Sequence, residues 1–166
     1  MLTVHDFEAE QDYQLGKRRL FNRNVYGSGI VAGLDVALEN GTVLVSPGFA
    51  LDPTGNEIIV DRPTVVDTKT CPQQRCFVML RYTETGTDPV PVGNGQVEFS
   101  RVVEGFALET GSDEPGPDSK AVCLARLAPQ DDLWTLDTSY ARKYVCKCSN
   151  VRLRRPTSSL RSLLVP

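Results

Sequence analysis

The spacing of apolar and polar residues divides the chain into one helical stretch and a longer series of strands. Residues 4–23 carry acidic side chains in their first half and basic side chains in their second half, an order that the helix dipole favours. Thr3 is placed to cap this helix, with Asp6 completing a capping box. The apolar residues do not form a wide stripe, which is typical of a helix that lies on a surface or bridges subunits.

From Gly29 onward the apolar pattern changes to that of short strands. Residues 29–68 contain alternating apolar positions interrupted by three turn signals, which are Asn40-Gly41, Pro47-Gly48 and Asp52-Pro53-Thr54-Gly55. Sequences of this kind favour tight turns between antiparallel strands. The pattern therefore predicts a compact meander of about five short strands.

A second group of three strands is predicted at residues 75–85, 96–110 and 121–128. The two segments between them, TDPVPVGNG and GSDEPGPDS, are rich in proline and glycine, so we expect both to be exposed loops. Trp134 follows the last of these strands. Together with Leu133 and Leu136, it is expected to cover one end of the β body.

The composition is that of one globular domain with a core of its own, since 40% of the 166 residues are hydrophobic and 23% are charged. We predict a mainly β fold with an N-terminal α-helix (1–28), a compact β-meander, sandwich or small barrel (29–138) and an extended basic C-terminal tail (139–166). No apolar run reaches the roughly 18–20 residues that span a bilayer, and the acidic start is unlike a secretory signal. We therefore expect no membrane partner.

Charge is distributed very unevenly along the chain. The residues up to 141 include 11 basic and all 21 acidic side chains, a net charge of −10, whereas the remainder has a net charge of +7. Charge blocks of this kind are typical of interaction tails. The tail either folds back on its own acidic body or docks on the acidic surface of a neighbouring subunit. A body at −10 would repel phosphates, which argues against nucleic acid as a partner.

Few residues could support catalysis or ligand binding. The single histidine, His5, is expected to be a solvated surface residue, and we assign no catalytic residue and no cofactor. One alternative is a hydrolase that uses Asp52, Glu57 and Asp61, which flank a predicted hairpin, and it would require a concave pocket with perturbed carboxylates. The other is a small-ligand or carbohydrate-binding β module, whose stacking surfaces would be Tyr82, Tyr140, Tyr144 and Trp134.

The five cysteines leave three states open. Cys71 and Cys76 are separated by four residues, and Cys146 and Cys148 by one. Two such pairs of thiols could hold a zinc ion, although a single intervening residue is unusual for a zinc ribbon. One disulfide or free thiols are the other two states, and free thiols are the main expectation. Cys123 lies in the predicted strand AVCLARLA and is expected to be a buried thiol.

Four stretches of the sequence resemble an uncharacterised bacterial family. The segment LTVHDFEAEQDYQLGKRRLFNRNVYGSGIVAGLDV combines a helix that ends in a basic run with a glycine-rich strand. The other three are VSPGFALDPTGNEIIV, LRYTETGTDPVPV and SRVVEGFALET. This family is similar to accessory and structural components of phage-tail-like contractile injection particles. The resemblance implies a β domain like those of baseplates or fibre attachment points, and it implies no catalytic residues.

These observations together predict a non-enzymatic structural subunit of a phage-tail-like assembly. Its partners would be protein subunits, either further copies of the chain or other particle components. We expect it to be cytoplasmic during assembly and then part of a virion-like particle. The helix and the tail would carry the contacts, through Phe7, Arg18, Arg19, Arg142, Lys143, Arg152, Arg154, Arg155, Leu160, Leu163 and Leu164.

Overall fold

The computed structural model describes residues 3–39, 41–68, 71, 74–93, 95–116, 118–130 and 133–145. The chain begins with an α-helix, α1 (Val4–Phe21), which continues directly into a π-helix (Asn22–Tyr26). The predicted capping box is confirmed, because the Thr3 side chain accepts from the Asp6 amide while the Thr3 amide donates to the Asp6 carboxylate at 2.7 Å. Gly27 ends the helical segment with a φ of 72°, which glycine adopts without strain.

The remainder of the described chain is mainly β, as predicted. Its strands pair antiparallel in three sheets, with orders β1-β4-β5, β2-β3-β6 and β10-β9-β7-β8. The strands within the described residues are β1 (Gly29–Gly33), β2 (Val36–Glu39), β3 (Thr42–Val45), β4 (Gly48–Leu51), β5 (Glu57–Val60), β6 (Thr64–Asp67), β7 (Cys76–Val92), β8 (Gln96–Gly111), β9 (Ala121–Gln130) and β10 (Leu133–Leu136).

The predicted meander over residues 29–68 forms two small sheets instead of one continuous set of five strands. The first predicted strand is split into β1 and β2, because Gly33 and Leu34 both have positive φ angles of 62° and 58°. Leu34 is fully buried. The turn redirects the chain at this point, so β1 pairs with β4 while β2 pairs with β3.

The core lies between the two small sheets and the four-stranded sheet. Its largest fully buried side chains come from all three sheets and from the β1–β2 turn. Trp134 and Leu136 pack against this core from β10, which is an edge strand of the large sheet. These residues therefore belong to the sheet itself, whereas the sequence predicts that they cover one end of the β body. The largest fully buried aliphatic side chains are those of Ile30, Leu34, Val43, Val45, Ile58, Val60, Val78, Leu80, Leu124 and Leu127.

The prediction of a loop at TDPVPVGNG is wrong for residues 87–92, which belong to β7. β7 continues to Val92 and pairs with β8 along its whole length, from Phe77↔Gly111 to Val92↔Gln96. β9 pairs with β7 only as far as Arg81, so beyond that point β7 and β8 form a two-stranded ribbon, which we call the hairpin arm (residues 83–105). Pro89 and Pro91 are tolerated here because β7 is an edge strand in the arm.

None of the helices among the described residues is both long enough and apolar enough to cross a membrane.

Candidate interaction surfaces

The C-terminal end of α1 is fixed to the body by charged and polar contacts. Arg18 makes a bidentate ion pair with Glu57, and these bonds raise the pKa of Arg18. Arg19 donates to Glu84 on β7 at 2.8 Å. The buried side-chain amide of Asn22 donates to the Gly55 carbonyl at 3.0 Å and to Glu57 at 3.1 Å. We call these contacts the α1 anchor.

The first three turns of α1 extend away from this anchor. Residues 4–14 are all exposed, and no residue of α1 is buried. Phe7 and Tyr13 each leave 58% of their surface exposed to solvent, although large aromatic side chains usually bury most of theirs. A helix of about three turns that packs against nothing is only marginally stable in water. Because contact with a partner would stabilise it, this part of α1 is a candidate contact surface.

The three predicted contact residues of the helix therefore divide into two groups. Phe7 lies on the exposed part of α1, where a partner can reach it. Arg18 and Arg19 belong to the α1 anchor, and their guanidinium groups already bind Glu57 and Glu84 of the same chain. Sequence alone did not show this use of the arginines, because their partners are 39 and 65 residues away.

Residues 140–145 fold back on the body. The Ile30 amide donates to the Lys143 carbonyl at 2.9 Å, and the Val145 amide donates to the Ile30 carbonyl at 3.0 Å. Val145 is buried. Gly29 permits this approach, because a Cβ there would lie only 2.6 Å from the Lys143 carbonyl oxygen. The first part of the predicted tail thus packs against its own chain.

Both predicted contact residues in this segment bind their own chain. Arg142 donates to Asp35 at 3.1 Å and also to the Leu34 carbonyl, while Lys143 donates to the Ser28 hydroxyl at 2.9 Å. The other predicted tail contacts lie outside the described residues, and these are Arg152, Arg154, Arg155, Leu160, Leu163 and Leu164.

The three carboxylates of the hydrolase alternative have separate environments. Asp52 is fully buried, and its oxygens accept from the amides and side chains of Thr54 and Asn56 at 2.8–2.9 Å. Glu57 is bound by the α1 anchor. Asp61 is exposed. Asp52 and Glu57 therefore serve to fix a turn and a helix, and their oxygens are already occupied by donors of the same chain.

The tyrosines proposed as a carbohydrate-stacking surface are covered by arginines. Guanidinium groups lie over Tyr82, Tyr140 and Tyr144 at 5.4–5.9 Å from the ring centres. Burial raises the pKa of Tyr82 and of Tyr140, whose hydroxyls donate to Glu84 and Glu114 at 2.9 Å. Trp134 is packed against the core. Each of these three tyrosines therefore has an arginine over one face of its ring.

The cysteines correct one expectation and support another. Cys71 and Cys76 form a disulfide, so they are not the free thiols that we expected, and neither sulfur can bind zinc in this state. Among the described residues, no group of three or more histidine, cysteine or acidic side chains could hold a metal ion. Cys146 and Cys148 lie outside the described residues. Cys123 is a free, buried thiol as expected, and burial raises its pKa.

Asp137 joins the end of β10 to β9 and should make stability depend on pH. Hydrogen bonds from Ser139 at 2.6 and 2.9 Å and from Arg126 at 2.7 Å lower the pKa of Asp137 below its usual 3.8. Its contribution to stability is complete above the unfolded-state pKa and is lost as the pH falls through the lower folded-state value. Urea unfolding should show that the wild type has a higher free energy of unfolding than Asp137→Asn. This difference should be constant between pH 5 and 7 and should become smaller below pH ~3.8. Asp61→Asn, at an exposed carboxylate, is the control. If the difference in free energy of unfolding between the wild type and Asp137→Asn were as large at pH 3 as at pH 7, the stabilising role of the Asp137 carboxylate would be contradicted.

The hairpin arm is a further exposed surface. The sequence predicted its second strand, at residues 96–110, but not the extension of β7 that pairs with it. Every described residue from 95 to 105 is exposed, including Val97 and Phe99 with 58% and 60% of their surfaces. The Phe99 ring lies against Gly86, where a Cβ would come within 2.7 Å of ring atoms. One signal was present, because the predicted strand 96–110 is longer than the predicted strand 75–85 and needed more partner residues.

The fold of this chain is similar to that of chains in solved structures of type VI secretion baseplates. No protein-family model matches the sequence, and no curated protein is detectably similar. A chain of the type VI secretion baseplate complex superposes with a TM-score of 0.55 at 14% identity, over 86% of this chain and 39% of that one. A chain of the type VI secretion TssK–TssF–TssG baseplate subcomplex gives 0.51 at 13%, over 86% and 58%.

The crystal structure of TssK is similar to the same degree, with a TM-score of 0.50 at 16% identity, over 82% of this chain and 38% of TssK. At such low identities the likeness shows a shared fold alone. The chain spans about two to three fifths of the length of these structures.

Proposed function

We propose that this chain is a non-enzymatic structural subunit of a phage-tail-like contractile injection assembly. The observation that carries the proposal is the shared fold, which extends over more than four fifths of this chain and recurs in chains of type VI secretion baseplates. In this role the fold serves to position the chain in the assembly and to contact neighbouring subunits. It gives the chain a place near a baseplate or a fibre attachment point.

The exposed elements of the chain suit such a role. α1 extends from the body with aromatic residues uncovered, and a polar helix of this kind lies on a surface or bridges between bodies. Beyond Val145 the sequence contains five basic and no acidic side chains. We propose that α1 and residues 146–166 contact neighbouring subunits, which are further copies of the chain or other components of the particle. The chain would be cytoplasmic during assembly and then part of a virion-like particle.

The two alternatives receive less support from the geometry. A hydrolase would need at least two carboxylates free to exchange protons with a substrate, whereas the donors around Asp52 and Glu57 already occupy their oxygens. A carbohydrate module would need open ring faces, and an arginine lies over one face of each of Tyr82, Tyr140 and Tyr144.

The proposal predicts that the full chain self-associates through its basic tail. Light scattering at low salt should show particles well above the 18.3 kDa of one chain, and these should dissociate at high salt, which screens charge pairs. Reversing three tail charges with Arg152→Glu, Arg154→Glu and Arg155→Glu should lower the mass to that of the monomer. The same change of charge at exposed Arg62, Arg75 and Lys120 is the control.

A second variant tests the contribution of the helix. Phe7→Ser combined with Tyr13→Ser should reduce assembly, whereas Val65→Ser, at an equally exposed position on β6, should not. A monomer at every salt concentration would overturn self-association. Assembly that is unaffected by both the tail and the helix variants would show that other surfaces carry the contacts.

A further inference from the structure

The two edges of the hairpin arm differ in their capacity to accept another strand. In the arm, β7 and β8 pair only with each other, so each strand has one edge that faces away from its partner. On β7 the edge contains Pro89 and Pro91, which lack an amide hydrogen, and proline at an edge is a common barrier to strand addition. β8 contains no proline. Its edge over residues 96–103 is therefore the open edge of the arm.

The prolines also show which groups of β8 face this open edge. Pro89 lies opposite Phe99, and Pro91 lies opposite Val97. A hydrogen-bonded antiparallel pair exchanges two N–H···O bonds, and a proline cannot donate one. Val97 and Phe99 are therefore in non-hydrogen-bonded pairs, and their amide and carbonyl groups point away from β7. Each offers an unused donor and acceptor to an added strand.

The side chains along the open edge are mainly apolar, with one acidic and one basic residue, Glu98 and Arg101, while the arm as a whole is acidic. Val97, Phe99, Val102 and Val103 are all exposed. Residues 83–105 contain four acidic side chains and one basic side chain, a net charge of −3. A strand that suits this edge would alternate apolar with cationic side chains, because successive residues of a strand point to opposite faces.

One segment of the chain has this pattern. Val151-Arg152-Leu153-Arg154 alternates apolar and cationic residues with a period of two. It belongs to the 21 residues after Val145, which include five cations and no acidic side chain. When extended, the nine residues from Cys146 to Arg154 reach about 30 Å, so the receiving edge must lie within this distance of Val145 in the neighbouring copy.

We propose that residues 150–154 of one copy add as a strand to the open edge of β8 in the hairpin arm of a neighbouring copy. Val151 and Leu153 then lie beside Val97 and Phe99, while Arg152 and Arg154 share the opposite face with Glu98. This inference rests on the proposed self-association and names the surface that receives the tail. A contact between two different surfaces of identical chains closes a ring or propagates a stack.

The first test removes the open-edge donor without disturbing the arm. Val97→Pro mirrors Pro91 across the ribbon and deletes only an amide that points away from β7. We expect it to weaken assembly at least tenfold, with Trp134 fluorescence unchanged as evidence of folding. Val97→Thr keeps the amide and the β-branched shape and is the matched control. If Val97→Pro is folded and assembles like Val97→Thr, strand addition at this edge is wrong.

The second test identifies the occupant in the full chain. An unlabelled copy with Phe99→p-benzoylphenylalanine is mixed with a ¹⁵N-labelled wild-type copy, illuminated and analysed by mass spectrometry. We expect crosslinks from position 99 to residues 149–156 of the labelled copy. If position 99 crosslinks only to unlabelled peptides, or to labelled peptides from another segment, the inference is wrong. Either result would leave the self-association of the proposed function intact. A monomeric wild type would overturn both.

Discussion

Replacing Asp52 with alanine is expected to lower the free energy of unfolding by about 3 kcal/mol. The Asp52 carboxylate is fully buried and accepts four hydrogen bonds from Thr54 and Asn56, two of them from backbone amides. In the alanine variant both amides lose their acceptor inside the folded chain, and such groups are costly to leave unpaired. Urea unfolding followed by Trp134 fluorescence measures the loss.

Two further substitutions make this prediction specific. Asp52→Asn keeps one acceptor oxygen for the two amides and should cost less than half as much as the alanine variant. Asp61→Ala removes an exposed carboxylate and should change stability by less than about 0.5 kcal/mol. A loss below 1 kcal/mol for Asp52→Ala would contradict the structural role of this carboxylate and would make a chemical role worth testing.

Gly55→Ala is expected to release α1 from the body, at a cost of about 3 kcal/mol. Gly55 has a φ of 91°, and a Cβ at this position would overlap the carbonyl oxygen of Arg19. The helix must move away to make room, which breaks the hydrogen bond from Asn22 to the Gly55 carbonyl. Fluorescence anisotropy of a dye at position 5 should fall as α1 gains freedom, and urea unfolding gives the change in stability.

Gly95→Ala is the matched control for this experiment. Gly95 also has a positive φ, of 74°, but a Cβ there would meet no atom within 4 Å. The difference between the two variants therefore isolates the contact with Arg19 from the backbone strain that both share. If Gly55→Ala and Gly95→Ala lost the same free energy of unfolding and the dye anisotropy of both stayed at the wild-type value, the contact between Gly55 and Arg19 would not hold α1 against the body.

The sequence was sufficient where the deciding interactions are local. The capping box joins Thr3 to Asp6, and both lie within one turn of helix. The turn of Asp52-Pro53-Thr54-Gly55 is likewise closed by residues four apart at most. Short-range signals of this kind predicted the helix, most of the strands and the mainly β class.

What the sequence did not show depends on residues far apart along the chain. The arm exists because β7 and β8 pair beyond the end of β9, so residues 87–92 form a strand despite two prolines. Arg18, Arg19 and Arg142 bind carboxylates that are 39, 65 and 107 residues away. Composition could show that these arginines needed partners, but only the fold shows that the partners belong to the same chain.

The way α1 is held makes it a lever. Val4 lies about 20 Å along the helix axis from Arg18, at a rise of 1.5 Å per residue, while the α1 anchor from Arg18 to Asn22 extends over about 6 Å. A sideways force at the free end therefore reaches the anchor multiplied about threefold. The ion pairs with Glu57 and Glu84 take this load before any sheet does. Pulled in this direction, the chain should give way first at the anchor and keep its core intact.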